Sequence, residues 1–335
     1  MIQGHGDDLY SQKYVVKYNF SSNVDRHKDY SNLRLFLSEK MKCIHSYPEP
    51  EAESLRKCLA IKENIEEDNL LITNGATEAI YLIAQTYKGA NTGILIPTFS
   101  EYEDACSINK HKLSFFLNLD NLPMDLDLIW ICNPNNPTGR IINKESLIEL
   151  ITSRRKTLFI IDQSYEYFSK EKTLTSKALT TDNVILLHSM TKHFSIPGLR
   201  LGYITGCSKI IQKIRGFKMP WSVNQLAIEA GKYLINSKDT GDIDTILKET
   251  QRLKQELEHL NIVDIMPSDT HYLLCKLQKG NSKELKEYLL KQHAILIRDA
   301  SNFRGLDKTY FRIASQSRVE NNLLIKAIKL WANTK

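Results

Sequence analysis

Several apolar runs in this chain end in side chains that can do chemistry. LLIT (70–73) is followed by Asn74, Gly75, Ala76 and Thr77, and GILI (93–96) by PTFSEY (97–102). LIWIC (128–132) leads into NPNNPTG (133–139), and TLFII (157–161) into Asp162 with Tyr165 three residues on. VILLH (184–188) leads into Ser189, Thr191 and Lys192, and Arg200 lies eight residues beyond the lysine. A Gly-Ala-Thr that opens a helix offers unpaired N–H groups and the positive end of a dipole, a site for an anion. A carboxylate ending an apolar strand is costly to bury without a partner. Each residue also has a plainer reading: Thr77 as a helix cap with Glu78 in the first turn, Asp162 as half of an ion pair, Lys192 as a structural cation.

The elements that must position these residues follow from the pattern. Runs at 70–73, 93–97, 113–117, 128–132, 157–162, 184–189 and 201–205 are predicted strands. Several are continuously apolar, as in a mainly parallel sheet covered on both faces. Helices are predicted over 78–87, 102–109 and 144–155. After Trp221 the texture changes: predicted helices at 224–235, 244–260, near 282–292 and at 319–331 alternate with strands at 272–277, 294–298 and 310–314. The expected fold class is α/β. A large domain, residues 45–228, carries a mainly parallel seven-stranded sheet flanked by helices. Residues 229–335 form a smaller α+β domain together with an N-terminal arm, residues 1–44, expected to pack on the C-terminal part or on a partner. In such a sheet ligands gather at the carboxyl ends of the strands, where the residues above fall.

Composition excludes several classes. With 42% apolar and 25% charged residues over 335 positions, the chain reads as a soluble globular protein. Its 45 basic and 39 acidic residues leave a net charge of +6 spread along the chain, too diffuse for nucleic acid but suited to a small anionic substrate. None of the six cysteines forms a C-x-x-C pair, and the histidines have no zinc spacing, so reduced thiols and no metal are expected. The opening MIQGHGDDLY lacks the basic-then-apolar order of a leader, and no run approaches the about 20 apolar residues of a membrane span. A cytoplasmic protein is expected. There is no Walker loop, and GHGDDL follows no strand and is no dinucleotide fingerprint.

An anion site at a helix start, a carboxylate, a tyrosine, a lysine, two hydroxyls and an arginine are the set that a phosphorylated aromatic aldehyde needs. In their order, TNGATEAI (73–80), PTFSEY (97–102), NPNNPTG (133–139), IIDQSYEYF (160–168), HSMTKHFSIPGLRLGY (188–203) and FRIASQSRVEN (311–321) resemble the fold-type I, pyridoxal-phosphate-dependent enzymes of the class I/II aminotransferase group. The resemblance spans nearly the whole chain. It implies pyridoxal 5'-phosphate as cofactor, Lys192 as the Schiff-base lysine and Asp162 as the partner of the ring nitrogen. It further implies Asn136 and Tyr165 on the 3-oxygen, Tyr102 stacked on the ring, and Gly75, Ala76, Thr77, Ser189, Thr191 and Arg200 around the phosphate. Tyr47, in SYPEPEAESLR (46–56), would reach the cofactor phosphate of a neighbouring subunit in a homodimer. Arg312 would grip a substrate carboxylate, and Arg318 would face a substrate phosphate.

Within the group, the chain resembles the branch that holds histidinol-phosphate aminotransferases and L-threonine-O-3-phosphate decarboxylases. GHGDDLY (4–10) followed by FSSN (20–23) is similar to the decarboxylases, with His5 and Asn23 at the substrate. The aminotransferases carry Glu-Asn-Pro in that region, which is missing here. Asn23 is followed by Val24 and Asp25, whereas the decarboxylases have Pro-Leu-Gly. The resemblance implies decarboxylation of threonine phosphate to an aminopropanol phosphate for cobalamin synthesis. A histidinol-phosphate or related aminotransferase is the alternative, and a non-catalytic cofactor-binding protein is a third reading.

Overall fold

A computed structural model describes residues 6–120, 122–171, 173–175, 181–237 and 242–334. In chain order its elements are β1 (Tyr18–Asn19), α1 (Ser31–Lys40), α2 (Glu53–Glu63), β2 (Leu70–Thr73), α3 (Gly75–Thr86), β3 (Asn91–Leu95), α4 (Glu101–Ile108), β4 (Lys112–Phe116), β5 (Leu128–Cys132), α5 (Lys144–Ser153), β6 (Leu158–Asp162), β7 (Val184–His188), α6 (Met190–His193), β8 (Gly202–Gly206) and α7 (Ser208–Arg215). There follow α8 (Gln225–Ile235), α9 (Ile243–Glu258), β9 (Val263–Ile265), β10 (Tyr272–Leu277), α10 (Ser282–His293), β11 (Ile295–Leu296), β12 (Arg298–Asp299), β13 (Tyr310–Ala314) and α11 (Arg318–Ala332).

Seven strands form the large sheet in the order β2-β8-β7-β6-β5-β3-β4. Six run in one direction, and β8 runs against both of its neighbours. The segments that follow β2, β3, β5, β6 and β7 therefore emerge along one edge, and the segment entering β8 starts from the same edge. Strands β5, β6 and β7 are buried throughout, which explains their unbroken apolar sequences. Alternate residues serve opposite faces. Trp130, Ile160 and Leu187 pack with Ile80, Ile83 and Ile211 from α3 and α7. Ile131, Ile161 and Leu186 pack with Leu147 and Ile151 from α5.

The smaller sheet is antiparallel, β12-β13-β10-β9, and its apolar face is covered by α9, α10 and α11. Ser317 and Glu320 cap α11 reciprocally, satisfying two of its first free N–H groups. The N-terminal arm belongs to this part of the molecule. Strand β1 pairs in parallel with β11, Phe20 enters the core, and Lys286 binds Asp8 at 2.9 Å. This route carries Ser21, Ser22 and Asn23 to the edge of the large sheet.

Three differences from the sequence reading have physical causes. Helices α1 and α2 were not expected, because α1 buries only Leu33 and α2 only Leu55, Leu59 and Ala60, which leaves a thin apolar stripe. The single strand expected at 294–298 is two: β11 pairs with β1 and β12 with β13, so consecutive residues serve different sheets. Helix α3 begins at Gly75, three residues before the predicted start, because Gly75 takes a positive φ of 74° at the turn out of β2.

Candidate active site

The early start of α3 places the Ala76 and Thr77 amides in its first turn, where a helix has no acceptor of its own for them. Strand β8 passes against this turn. A β-carbon on Gly202 would lie 2.8 Å from the Ala76 nitrogen and 2.9 Å from the Gly75 carbonyl carbon, so only glycine permits the approach. The Arg200 guanidinium lies over the same loop, 2.7 Å from where a β-carbon on Gly75 would stand. Ser189 precedes α6 without capping it and lines the same cavity. Amides, a hydroxyl and a guanidinium thus converge at one end of that cavity.

The cavity, about 340 Å³, also takes in Lys192, Asp162, Tyr165 and Asn136. The Lys192 ammonium lies 5.9 Å from the centre of the Tyr165 ring. Burial lowers its pKa to about 8, with Arg312 and Arg200 adding to the effect and Asp7 opposing it. Near neutrality a usable fraction of the amine is therefore unprotonated, as a nucleophile requires. Asp162 is 3% exposed and accepts hydrogen bonds from the Ser164 amide at 2.8 Å and the Tyr102 hydroxyl at 2.6 Å. Burial raises its pKa above the ordinary carboxylate value, against the pull of those bonds and of His188. A cationic partner would offset that cost. Burial likewise pushes the Tyr165 phenol up to about 12, against Arg312, so it remains a hydrogen-bond donor.

The small sheet contributes two guanidiniums to the same cavity. Arg298 on β12 and Arg312 on β13 are directly opposite each other in the antiparallel ladder, and both are buried. Arg312 donates to Asn136 Oδ1 and to the Ser21 carbonyl, the latter at 2.8 Å, and its Nε has no partner. Arg298 donates to the Asp299 carbonyl and to Asn302 Oδ1. Neither forms an ion pair among the described residues. Asn23, 1% exposed, lines the cavity with both amide atoms unpartnered. Two buried cations and a buried amide with unused capacity mark a place where an anionic ligand would complete the hydrogen bonding.

Most of the residues expected from sequence meet here, but several are placed differently. The Thr191 hydroxyl is engaged by the Leu201 backbone, accepting from its amide and donating to its carbonyl, both at 3.2 Å, so it holds the loop before β8 while the residue lines the cavity. One face of Tyr102 is taken by Trp130, stacked at 5.0 Å, and its hydroxyl reaches Asp162, a bond the sequence did not suggest. Tyr47 is 85% exposed beside Trp221 and is absent from the Lys192 cavity of its own chain.

Arg318 is placed apart from this cluster. By the sixth residue after Arg312 the chain has left β13 and turned into α11, so Arg318 is exposed and lines a neighbouring cavity. The arginine beside Arg312 is Arg298, fourteen residues upstream, brought there by strand pairing. Its only sequence signal was its position at the end of AILIR. His5 lies outside the described residues. Among the described residues no helix is long and apolar enough to cross a membrane, and no group of three candidate ligands for a metal occurs.

The donor set fits a phosphorylated pyridine aldehyde: a buried amine of lowered pKa, a buried carboxylate, and a separate cluster of amides, hydroxyl and guanidinium. The family model for aminotransferase class I and II matches residues 17–328. The fold is similar to the crystal structure of L-threonine-O-3-phosphate decarboxylase from Porphyromonas gingivalis, with a TM-score of 0.92 and 37% identity over 94% of this chain and 99% of that one. The threonine-phosphate decarboxylase of Salmonella typhimurium is 31% identical over 93% of this chain and 90% of its own length. A histidinol-phosphate aminotransferase of Methanocaldococcus jannaschii is also 31% identical, over 85% of this chain and 81% of its own. The chain belongs to the class I and II aminotransferase family, whose cofactor is pyridoxal 5'-phosphate.

Proposed function

We propose that this protein decarboxylates L-threonine O-3-phosphate, releasing CO₂ and an aminopropanol phosphate. The observation that carries the reading is the Arg298–Arg312 pair, two buried guanidiniums side by side that form no ion pair among the described residues, on the small-sheet side of the cavity that holds Lys192. Two fixed cations match a phosphate dianion in charge and in their forked donors. The likeness to the Porphyromonas gingivalis decarboxylase supports the same choice.

Pyridoxal phosphate, when bound, supplies an electron sink that weakens whichever bond at the substrate Cα lies perpendicular to its ring. The Ala76 and Thr77 amides, the Ser189 hydroxyl and Arg200 hold its phosphate. Asp162 keeps the ring nitrogen protonated, and Tyr102 fixes the Asp162 carboxylate. Asn136 and Tyr165 bind the 3-oxygen. Lys192 carries the cofactor through its amine and afterwards delivers a proton at Cα. Arg298 and Arg312, with Asn23, anchor the substrate phosphate. A phosphate held there leaves the substrate carboxylate without a guanidinium of its own, so losing it as CO₂ breaks no charge-assisted bond. A carboxylate gripped by Arg312 would instead favour loss of the Cα proton and hence transamination. Tyr47 we assign to the neighbouring site in a homodimer.

The test is a pair of incubations. Threonine phosphate should yield CO₂ and aminopropanol phosphate, while histidinol phosphate with 2-oxoglutarate should yield no glutamate. Glutamate without CO₂ would overturn the decarboxylase reading in favour of the aminotransferase. A yellow protein inert toward both would leave only cofactor binding.

A further inference from the structure

A second buried ionic cluster lies behind Asp162, and the chemistry above leaves it unused. Asp162 pairs with Leu187 in the β6–β7 ladder, so the next residue, His188, projects from the opposite face of the sheet. Its Nδ1 is 2.7 Å from Glu166 Oε1, and both groups are largely buried. Gln163 Nε2 and Thr173 Oγ1 bind the other Glu166 oxygen at 3.3 and 3.2 Å. The His188 ring stacks on Tyr203 at 4.5 Å, and the Tyr203 hydroxyl donates to Glu63 at 2.9 Å.

The groups facing His188 come from every surrounding element: Asp162 at the end of β6, Glu166 from the turn after it, Glu63 from α2 through Tyr203 on β8, and His193 from α6. Tyr167 lies within the field of Glu166 and Glu63. Lys62 and Lys28 face His193. Glu166 is bonded to the imidazole, and Glu63 and Asp162 act on it through space. Burial alone would lower the His188 pKa, but Glu166, Glu63 and Asp162 together raise it above the ordinary value.

We propose that Glu166 and His188 form a positioning pair for Asp162: the imidazolium held by Glu166 supplies a fixed positive charge behind the carboxylate and keeps it ionised toward the ring nitrogen of the cofactor. Glu166 also lies next to Tyr165, in a turn closed by Glu166 N to Gln163 O at 3.0 Å and Phe168 N to Tyr165 O at 3.0 Å. The inference rests on the assignment of Asp162 to the ring nitrogen.

The sign of the pH effect separates charge from mere support. A histidine with a raised pKa is cationic through neutral pH and loses that charge as pH rises through its folded value. The His188→Gln protein lacks the charge at every pH and resembles the wild type only in alkali. Holoenzymes are resolved to apoprotein, and the dissociation constant for pyridoxal phosphate is measured by its visible absorption at about pH 6 and about pH 10. His188→Gln should weaken binding on the order of tenfold at the lower pH and by less than about twofold at the higher one. His188→Arg keeps the cation and the stacking surface for Tyr203, and should bind like the wild type at the lower pH and more tightly than it at the higher.

An equal loss for His188→Gln at both pH values, or an Arg variant as weak as the Gln variant, overturns the proposal. Asp162→Asn serves as the reference. If Asp162→Asn binds weakly while His188→Gln shows no pH-dependent loss, the pairing role fails and the assignment of Asp162 stands. If Asp162→Asn binds normally, that assignment fails and the pairing role with it.

Discussion

Replacing Gly202 with alanine should cost this protein its cofactor. The added methyl would stand 2.8 Å from the Ala76 nitrogen, 2.9 Å from the Gly75 carbonyl carbon and 3.0 Å from the His188 carbonyl oxygen. Ordinary contacts are about 3.5–4.0 Å, so each is short by roughly half an ångström or more. All three neighbours are backbone, and no side chain can swing away. Strand β8 and the first turn of α3 must separate, at a typical overpacking cost of about 1–3 kcal/mol in stability. The separation draws the Ala76 amide away from the position proposed above for the cofactor phosphate. Losing one charge-assisted hydrogen bond is worth about 1.5–3 kcal/mol, which corresponds to about 10- to 150-fold in Kd.

The assay is equilibrium titration of apoprotein with pyridoxal phosphate, with thermal denaturation of the apoprotein alongside. Gly198→Ala is the matched control, since its β-carbon would meet no atom within 4 Å. It should leave both quantities near wild type. A Gly202→Ala protein that is destabilised yet binds the cofactor normally would refute the placement of the phosphate at the start of α3.

Three further outcomes are expected. Lys192→Ala should abolish the visible absorption of the holoenzyme while the apoprotein folds normally by circular dichroism. Arg298→Gln should raise KM for threonine phosphate by on the order of 30-fold or more, the loss expected for a charge-assisted anchor, with cofactor affinity unchanged; Arg318→Gln should change KM by less than about twofold. The lowered Lys192 pKa of about 8 means that the rate of cofactor reloading should rise with pH through that value. The sign for stability follows: between about pH 8 and the unfolded value of about 10.4, the unfolded chain holds a proton that the folded one has released. Apoprotein stability should therefore rise across this window, and urea midpoints for Lys192→Met should lack the increment.

Local order made much of the site legible. Lys192, Asp162, Asn136 and the Gly75–Ala76–Thr77 turn each lie within a few residues of the end of an apolar strand, and an open parallel sheet delivers such ends to one edge whatever the lengths between them. Arg298 had no comparable signal. Its place beside Arg312 depends on a two-residue strand whose partner lies fourteen positions away, and on the chain leaving one sheet for another at Ile297. Helices α1 and α2 were hidden because few of their residues are buried.

The sequence by itself determined the fold class, the family and the identity of the groups at the strand ends, because strand termini, turn formers and apolar runs are local features. Only the tertiary structure decided which groups are available to a ligand. It engaged the Thr191 hydroxyl with the Leu201 backbone, set Arg318 outside the Lys192 cavity and Arg298 inside it, tied Tyr102 to Asp162, and placed the Glu166–His188 pair behind that carboxylate. Those outcomes depend on register and on the opposite faces of one sheet, where a shift of a single residue exchanges what is buried in the site for what is turned away from it.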